Sequence, residues 1–306
     1  MSVKILITDK VMEYLLKLLG DKGFEYSYKP DITYEELLNI VKNYNILIVR
    51  GRTKVSEDVL KEGVNLKAII RFGVGLDNID LESAKEYGIK VFNTPQAFTE
   101  AVAELTLALM LGISRNLGYA HYSLKNSKWE KKKLYGYELL NKKVSIIGFG
   151  RIGRRVAELL KPFNVDIVVY DVIKFPKEVL DRYGAIQVGS IEEAVRDADI
   201  ITLHVPITPE TREMFNIELF RKMKRKPFLI NTSRGGIIKY DDLLKALNEG
   251  LIRGCAFDVY PFEPFNDRRL LNRDDIFLTP HIGAQTYEAN KRAAEEVINI
   301  LEGLRS

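Results

Sequence analysis

Short β-branched runs alternate with amphipathic segments from the N-terminus onward. Residues 4–8, 24–28, 46–49, 67–71 and 90–92 read as strands. Apolar runs without period-two alternation, as at 46–49, predict strands covered on both faces, as in a parallel sheet. Between them, 11–19, a segment from Tyr34, and 81–87 carry helical spacing. A long helix is predicted over 99–113, where Val102, Leu105, Leu109 and Ile113 repeat at helical intervals. A second series then begins, with strands at 143–147, 166–170, 185–188, 200–205, 228–231, 255–259 and 276–278. In the last segment, 287–301, Ala294, Val297, Ile298 and Leu301 share one face and Thr286 is placed to cap the helix. The first series lacks a closing helix, so this one is expected to return to it. The pattern predicts two doubly wound, parallel-sheet α/β domains, one formed by 1–95 plus 285–306 and the other by 96–284.

Composition changes the picture mainly by exclusion. The chain has 306 residues, 46% hydrophobic and 29% charged, with neither repeats nor low-complexity tracts. The longest apolar stretch, 105–113, contains Thr106 and Gly112 and falls short of the roughly 18–20 residues of a membrane span. After Lys4 only Ile5, Leu6 and Ile7 precede Thr8, Asp9 and Lys10, too little for a secretory signal. The mature chain is therefore expected to begin at Met1. A net charge of +4 is spread along the chain and favours an anionic small molecule over nucleic acid or a membrane. The basic run 221–226 reads as a solvated helix end. The single cysteine, Cys255, excludes an internal disulfide and a cysteine-based metal cluster, and it points to a reducing, cytoplasmic setting.

The predicted strand 143–147 leads directly into Gly148-Phe149-Gly150-Arg151-Ile152-Gly153, and a helical pattern follows through Val156, Leu159 and Leu160. This is the dinucleotide fingerprint in its strand–turn–helix setting. The first glycine permits the tight turn, the second lets backbone approach a pyrophosphate, and the third lets helix and strand pack closely. The next strand ends in Asp171, about 20 residues on, where an acid can bind ribose hydroxyls. Its charge would repel the 2′-phosphate of NADP, so NAD is the expected cofactor; Lys174 nearby softens that preference.

Hydride chemistry on a hydroxy acid needs a cation for the carboxylate and a carrier for the hydroxyl proton. Three histidines are available: His121, His204 and His281. His121 lies among tyrosines and reads as a packing or surface residue. His204, at a strand end before Val205 and Pro206, reads as part of a cofactor wall. His281 follows Thr279-Pro280 at another strand end, where doubly wound sheets bind ligands, and is the best proton carrier. Arg234 lies between Asn231-Thr232-Ser233 and Gly235-Gly236. Its guanidinium can hold a carboxylate bidentately, the two glycines leave backbone room for a ligand, and a structural salt bridge is the plainer alternative. Glu263 could orient His281 or be an ordinary loop glutamate.

Taken together, residues 144–171, 231–236, 258–264 and 279–284 resemble the D-isomer-specific 2-hydroxyacid dehydrogenases over nearly the whole chain. The resemblance implies a flavodoxin-like substrate domain and a Rossmann NAD-binding domain around a cleft, with dimer contacts through the nucleotide-binding domain. It implies that Arg234 binds the substrate carboxylate, His281 is the acid/base and Glu263 tunes it. For the cofactor it implies Gly148, Gly150, Arg151, Ile152 and Gly153 at the pyrophosphate and Asp171 at the ribose. Val74, His204, Val205, Pro206, Thr232, Ser233, Gly283 and Ala284 would line the cofactor, with Asp258 at the carboxamide and no metal.

The run from Arg71 to Asp80, Arg71-Phe72-Gly73-Val74-Gly75-Leu76-Asp77-Asn78-Ile79-Asp80, and the stretch 129–139 are similar to the phosphoglycerate dehydrogenases within that family. The activity this implies is NAD-dependent oxidation of D-3-phosphoglycerate. Gly73, Val74, Gly75 and Asn78 would touch substrate, and Arg50, Arg52 and Arg71, at strand ends, are candidate phosphate ligands. The chain stops soon after the closing helix, so no serine-binding regulatory module is expected. Competing expectations are a glyoxylate or hydroxypyruvate reductase, which would not need those arginines, and an NAD-sensing protein resembling the C-terminal-binding corepressors.

Overall fold

The computed structural model describes residues 3–305; the expected chain ends at Met1 and Ser306 lie outside the described residues. Two all-parallel sheets organise the chain. The first is built from β1 (Lys4–Ile7), β2 (Glu25–Tyr28), β3 (Ile46–Val49), β4 (Ala68–Arg71) and β5 (Lys90–Asn93), in the order β2-β1-β3-β4-β5. Ile5 lies opposite Tyr26 on one side and Ile46 on the other. The order is flavodoxin-like, and its reversal beside β1 opens the carboxyl ends of β1 and β3 to ligands. All four β3 residues are buried, which is why an apolar run without alternation marked it.

The helices around this sheet start where the sequence supplies caps. Thr33 and Glu36 form a reciprocal capping box for Tyr34–Ile40, and Asp80 accepts from the Ser83 N–H ahead of Leu81–Glu86. The helix expected over 11–19 begins later, at Glu13, and runs to Asp21. Asp9, which could cap an earlier start, turns inward to the Arg50 N–H at 2.9 Å instead. Lys10, Val11 and Met12 are thereby left as a loop at the end of β1. The helix Tyr287–Arg305 buries Ala293, Ala294, Val297, Ile298 and Leu301 against this unit. Lys22 reaches Glu302 at 2.7 Å, and Arg292 donates to the Ala97 carbonyl at 2.9 and 3.1 Å. Thr286 accepts from the Ala289 N–H at 3.2 Å. Residues up to Thr99 and from Ala284 form this compact unit, and Glu100–Gly283 form the other.

The second sheet contains β6 (Lys143–Ile147), β7 (Asp166–Tyr170), β8 (Ala185–Gln187), β9 (Ile200–Leu203), β10 (Phe228–Asn231), β11 (Gly254–Phe257) and β12 (Ile276–Leu278), ordered β12-β11-β10-β9-β6-β7-β8. Counted from β6, that is the Rossmann order with one additional strand. On one face Val144, Ile146 and Ile230 pack with Val156 and Leu160; on the other, Ile147, Leu203, Leu229 and Phe257 pack with Phe215 and Leu243. Each such side chain contributes about 1.5–3 kcal/mol by leaving water.

Two strands of this sheet end two residues before the predicted limit. β9 stops at Leu203 because its partners stop there: Leu203 pairs with Ile147 of β6 and with Asn231 of β10. β11 likewise ends at Phe257, opposite Asn231. The consequence is that His204, Val205, Pro206 and Asp258 begin loops at the carboxyl edge of this sheet.

Candidate active site

The turn after β6 has the three glycine requirements of a dinucleotide site, each with a distinct cause. Gly148 has φ +94°, and a Cβ there would lie 2.6 Å from the His204 carbonyl oxygen. A Cβ on Gly153 would lie 2.1 Å from the Gly148 carbonyl oxygen, so helix Arg151–Leu160 can pack this closely only on glycine. Gly150 faces open space. It precedes a helix with no side-chain cap, leaving the first-turn N–H groups at Arg151 and Ile152 for an anion. Asp171, at the end of β7, accepts from the Phe149 N–H at 2.7 Å and the Ile173 N–H at 2.9 Å. The acid assigned to the ribose therefore grips the glycine turn itself. Beside it, Val172 is 89% exposed, an apolar surface suited to an adenine ring. These residues fit a bound NAD.

The candidate proton carrier, His281, lies just past the end of β12. His281 Nδ1 is 2.7 Å from Glu263 Oε2. A carboxylate can only accept, so Nδ1 carries the proton and Nε2 is the nitrogen left outside the pair. His281 has φ +54°, a left-handed conformation costing roughly 1–2 kcal/mol in a non-glycine residue. Asp258, buried at the end of β11, holds the loop there. Its Oδ1 accepts from the Thr279 hydroxyl at 2.6 Å and the Ile282 N–H at 2.8 Å, and its Oδ2 from the Gly283 N–H at 2.8 Å. Tyr260 ties the two sides of the pair together. Its hydroxyl donates to the Thr279 carbonyl at 2.8 Å, its N–H to Glu263 Oε1 at 3.3 Å, and its ring stacks on Phe265 at 4.5 Å. Burial opposes the Glu263 charge, but the His281 hydrogen bond and charge, the Tyr260 N–H and the nearby Arg234 outweigh it and hold the carboxyl below its usual range.

Arg234 stands after β10, with its Nη1 donating to the Ser233 carbonyl at 2.7 Å and its own carbonyl accepting from Asn231 Nδ2 at 2.9 Å. The glycines after it do not make room for a ligand, as the sequence suggested. A Cβ on Gly235 would lie 1.9 Å from the Tyr260 carbonyl carbon, and one on Gly236 would lie 3.3 Å from Ile207. Gly235 thus lets the Arg234 loop lie directly on the Tyr260–Pro261 backbone, which leads into Glu263. The three candidate side chains, predicted from three separate segments, belong to one loop assembly.

Among the remaining cofactor candidates, Thr232 shares a hydroxyl–hydroxyl bond of 2.8 Å with Thr106 of helix Thr99–Ser114, and Ser233 bonds Asn231 Oδ1 at 2.8 Å. His204 Nε2 pairs with the Thr202 hydroxyl at 2.9 Å, and burial pushes its pKa down to about 3. At neutral pH it is therefore uncharged. Val205 and Pro206 follow it at the sheet edge, Gly283 is buried against Asp258, and the carbonyl of Ala284 accepts from Asn290 at 2.9 Å.

In the first unit the strand-end arginines separate by role. Arg52 is structural: it donates to the carbonyls of Thr8 (2.5 Å), Pro30 (2.8 Å) and Ile32 (3.0 Å) and pairs with buried Asp9 at 3.4 Å. Asn78 is a tether, its amide donating to the Arg50 and Thr53 carbonyls at 2.7 and 2.6 Å. Arg71 folds over Gly73, where a Cβ would lie 1.2 Å from Nη1, and donates to the Phe72 carbonyl. Gly73 and Thr94 bond each other at 2.9 and 3.0 Å, which orders the loop bearing exposed Val74 and half-buried Gly75.

Arg50 is less fully engaged, its Nη1 donating to the Lys10 carbonyl at 3.2 Å. Its guanidinium lies over the Phe72 ring at 5.3 Å, and burial pulls its pKa down against the opposing charge of Asp9. With Lys10, Val11, Met12, Gln285, Thr286, Tyr287 and Asn290 it lines a cavity of about 410 Å³. Lys10 was not among the residues singled out from sequence, although its place just past β1 was a usable signal. Among the described residues no cluster of histidine, cysteine and acidic side chains could hold a metal, and no helix is long and apolar enough to cross a membrane.

Comparison with known proteins gives a consistent result. The NAD-binding domain of the D-isomer specific 2-hydroxyacid dehydrogenases matches residues 107–283. D-3-phosphoglycerate dehydrogenase of Methanocaldococcus jannaschii is 44% identical over 98% of this chain, which spans 58% of that protein's length. Hydroxypyruvate reductase of Thermotoga maritima is 42% identical over 96% of both chains. Among solved structures, a glyoxylate reductase from Paecilomyes thermophila superposes with a TM-score of 0.90 at 28% identity, over 98% of this chain and 94% of that one.

Proposed function

The chain belongs to the D-isomer specific 2-hydroxyacid dehydrogenases, and from that premise we propose that it oxidises D-3-phosphoglycerate to 3-phosphooxypyruvate with NAD, the entry step of the phosphorylated route to L-serine. The observation that carries the reading is the 2.7 Å His281–Glu263 pair, locked to the Arg234 loop through Gly235 and Tyr260. The chemistry NAD supplies when bound is uptake of a hydride from C2 of the substrate. Neutral His281 takes the hydroxyl proton at Nε2, and Glu263 stabilises the resulting imidazolium. Arg234 holds the carboxylate and the C2 oxygen as its charge changes. In the reverse direction His281 starts protonated, which a charged Glu263 favours.

The phosphate is assigned to Lys10 and Arg50. Arg50 is a partly dehydrated cation on a rigid strand end, and Lys10 supplies a second charge in the same cavity. A second reading, reduction of unphosphorylated hydroxypyruvate, is favoured by the engagement of Arg52 and Asn78 in backbone contacts and by the Thermotoga relative. One assay series separates them: NADH formation from D-3-phosphoglycerate beside NADH-dependent reduction of hydroxypyruvate and glyoxylate. We expect saturable phosphoglycerate turnover whose KM rises about tenfold or more in Lys10→Glu, equivalent to about 1.4 kcal/mol, with hydroxypyruvate reduction little changed. Turnover of the unphosphorylated acids alone would replace the phosphoglycerate reading with the reductase. Intact NADH binding without turnover of any hydroxy acid would favour the corepressor-like role.

We also assign the chain to a homodimer of the cytoplasm. Helix Leu117–Lys125 and the loop after it leave Leu117, Tyr122, Leu124, Trp129 and Tyr135 between 52% and 86% exposed, an apolar surface of the kind that pairs with a second copy. Light scattering is expected to give twice the 35.0 kDa chain mass; a monomer at micromolar concentration would remove this assignment. The single thiol, Cys255, is buried and fits a reducing compartment.

A further inference from the structure

Phe149, the middle residue of the glycine turn, has both backbone polar groups satisfied by side chains. Its N–H donates to Asp171 at 2.7 Å, and its carbonyl accepts from Arg154 Nε at 3.0 Å. Its ring is fully buried, edge-on to Phe175 at 5.5 Å and to Tyr183 at 5.4 Å. The Arg154 guanidinium covers the same cluster, 4.8 Å from the Phe175 ring and 5.7 Å from that of Phe149. The neighbouring Arg155 behaves quite differently, pairing with Glu100 at 2.7 Å and Glu158 at 2.8 Å. Those are ion pairs to helix Thr99–Ser114 and within its own helix, whereas Arg154 is spent on the turn.

We propose that Arg154 is a positioning residue for the dinucleotide, acting through Phe149 to fix the glycine turn and to couple it to Asp171. The inference rests on NAD binding at this turn and not on which hydroxy acid is oxidised. A turn made of Gly148 and Gly150 has wide conformational freedom. The N–H groups that would meet the diphosphate are useful only if that freedom is removed before binding. Phe149 removes it by anchoring the turn in the core, Arg154 by fastening its carbonyl to the helix that follows. Asp171 fastens the other side, so the carboxylate that meets the ribose and the N–H groups that meet the diphosphate are held by one residue. The two subsites should then not behave independently.

The test is direct binding of NADH and of ADP-ribose, by fluorescence and calorimetry, with no hydroxy acid present. Arg154→Gln is expected to weaken both ligands about tenfold, while kcat at saturating NAD and the melting temperature change little. Arg154→Lys keeps the charge but not the planar fork, and is expected to recover only part of the loss. Combined with Asp171→Asn, the two losses are expected to fall short of additive by about threefold or more, the signature of groups acting through a shared element. Arg155→Gln, the control, should leave NADH affinity unchanged. Unaltered NADH affinity in Arg154→Gln, full recovery in Arg154→Lys, or strict additivity with Asp171→Asn would each overturn the proposal. A drop in melting temperature with affinity intact would make Arg154 a stability residue only.

Discussion

Replacing His281 with asparagine is expected to lower kcat for hydroxy-acid oxidation by about 10²–10⁴-fold, the range for loss of a positioned general base, with NADH affinity retained. Asparagine is the informative choice because His281 has φ +54°, and asparagine is among the few residues that tolerate this region. A loss of rate then reports on the missing Nε2 and not on a collapsed loop. Glu263→Gln is the companion. Its carboxyl is held below the usual range, so it is charged above that range, and whatever stability it contributes is lost only as pH falls through the lowered value. A charged partner stabilises the imidazolium that forms as the substrate hydroxyl gives up its proton, so its removal should slow that step. Oxidation is expected to lose about tenfold or more in kcat, or about 1.4 kcal/mol. Turnover within tenfold of wild type in His281→Asn, or kcat unchanged in Glu263→Gln, would exclude this pair as the proton-handling device.

The sheets were legible in the sequence because a parallel strand buried on both faces leaves an unbroken apolar run, as at Ile46–Val49. The glycine turn was legible because each of its glycines answers a constraint local to strand, turn and helix. Strand ends were less so: nothing in the local sequence says that β9 stops at Leu203, since its length is set by Ile147 and Asn231 on either side. Guanidinium partners are hidden for a related reason. Arg52 looked like a phosphate ligand by position, yet it meets its partners Thr8, Pro30 and Ile32 only once β1 is paired with both β2 and β3. Lys10 was obscured by an apolar run suggesting that the helix began at Val11. Gly235 shows the limit of glycine arithmetic: sequence can say that something approaches closely, but the approaching atoms are the backbone at Tyr260 and Pro261.

That same packing decides how severe the loss of Arg234 should be. Arg234→Ala is expected to depress kcat/KM by about 10³-fold or more, through both a lower kcat and a higher KM. One group is asked to do two things: hold the substrate carboxylate, which acts in the ground state, and stabilise the C2 oxygen, whose charge develops in the transition state. Removing a single donor at a developing oxyanion costs about 10²–10³ in kcat, and the lost carboxylate contact adds to KM. Arg234→Lys retains the charge without the bidentate fork, so it should recover KM more than kcat. Because Gly235 seats the loop on Tyr260–Pro261 independently of the guanidinium, truncating the side chain should leave the His281–Glu263 pair in place and NADH affinity near wild type. If Arg234→Ala keeps turnover within about tenfold, the arginine is a structural bridge and the carboxylate must be held elsewhere. If it loses NADH binding as well, the loop is not independently seated and the Gly235 argument fails with it.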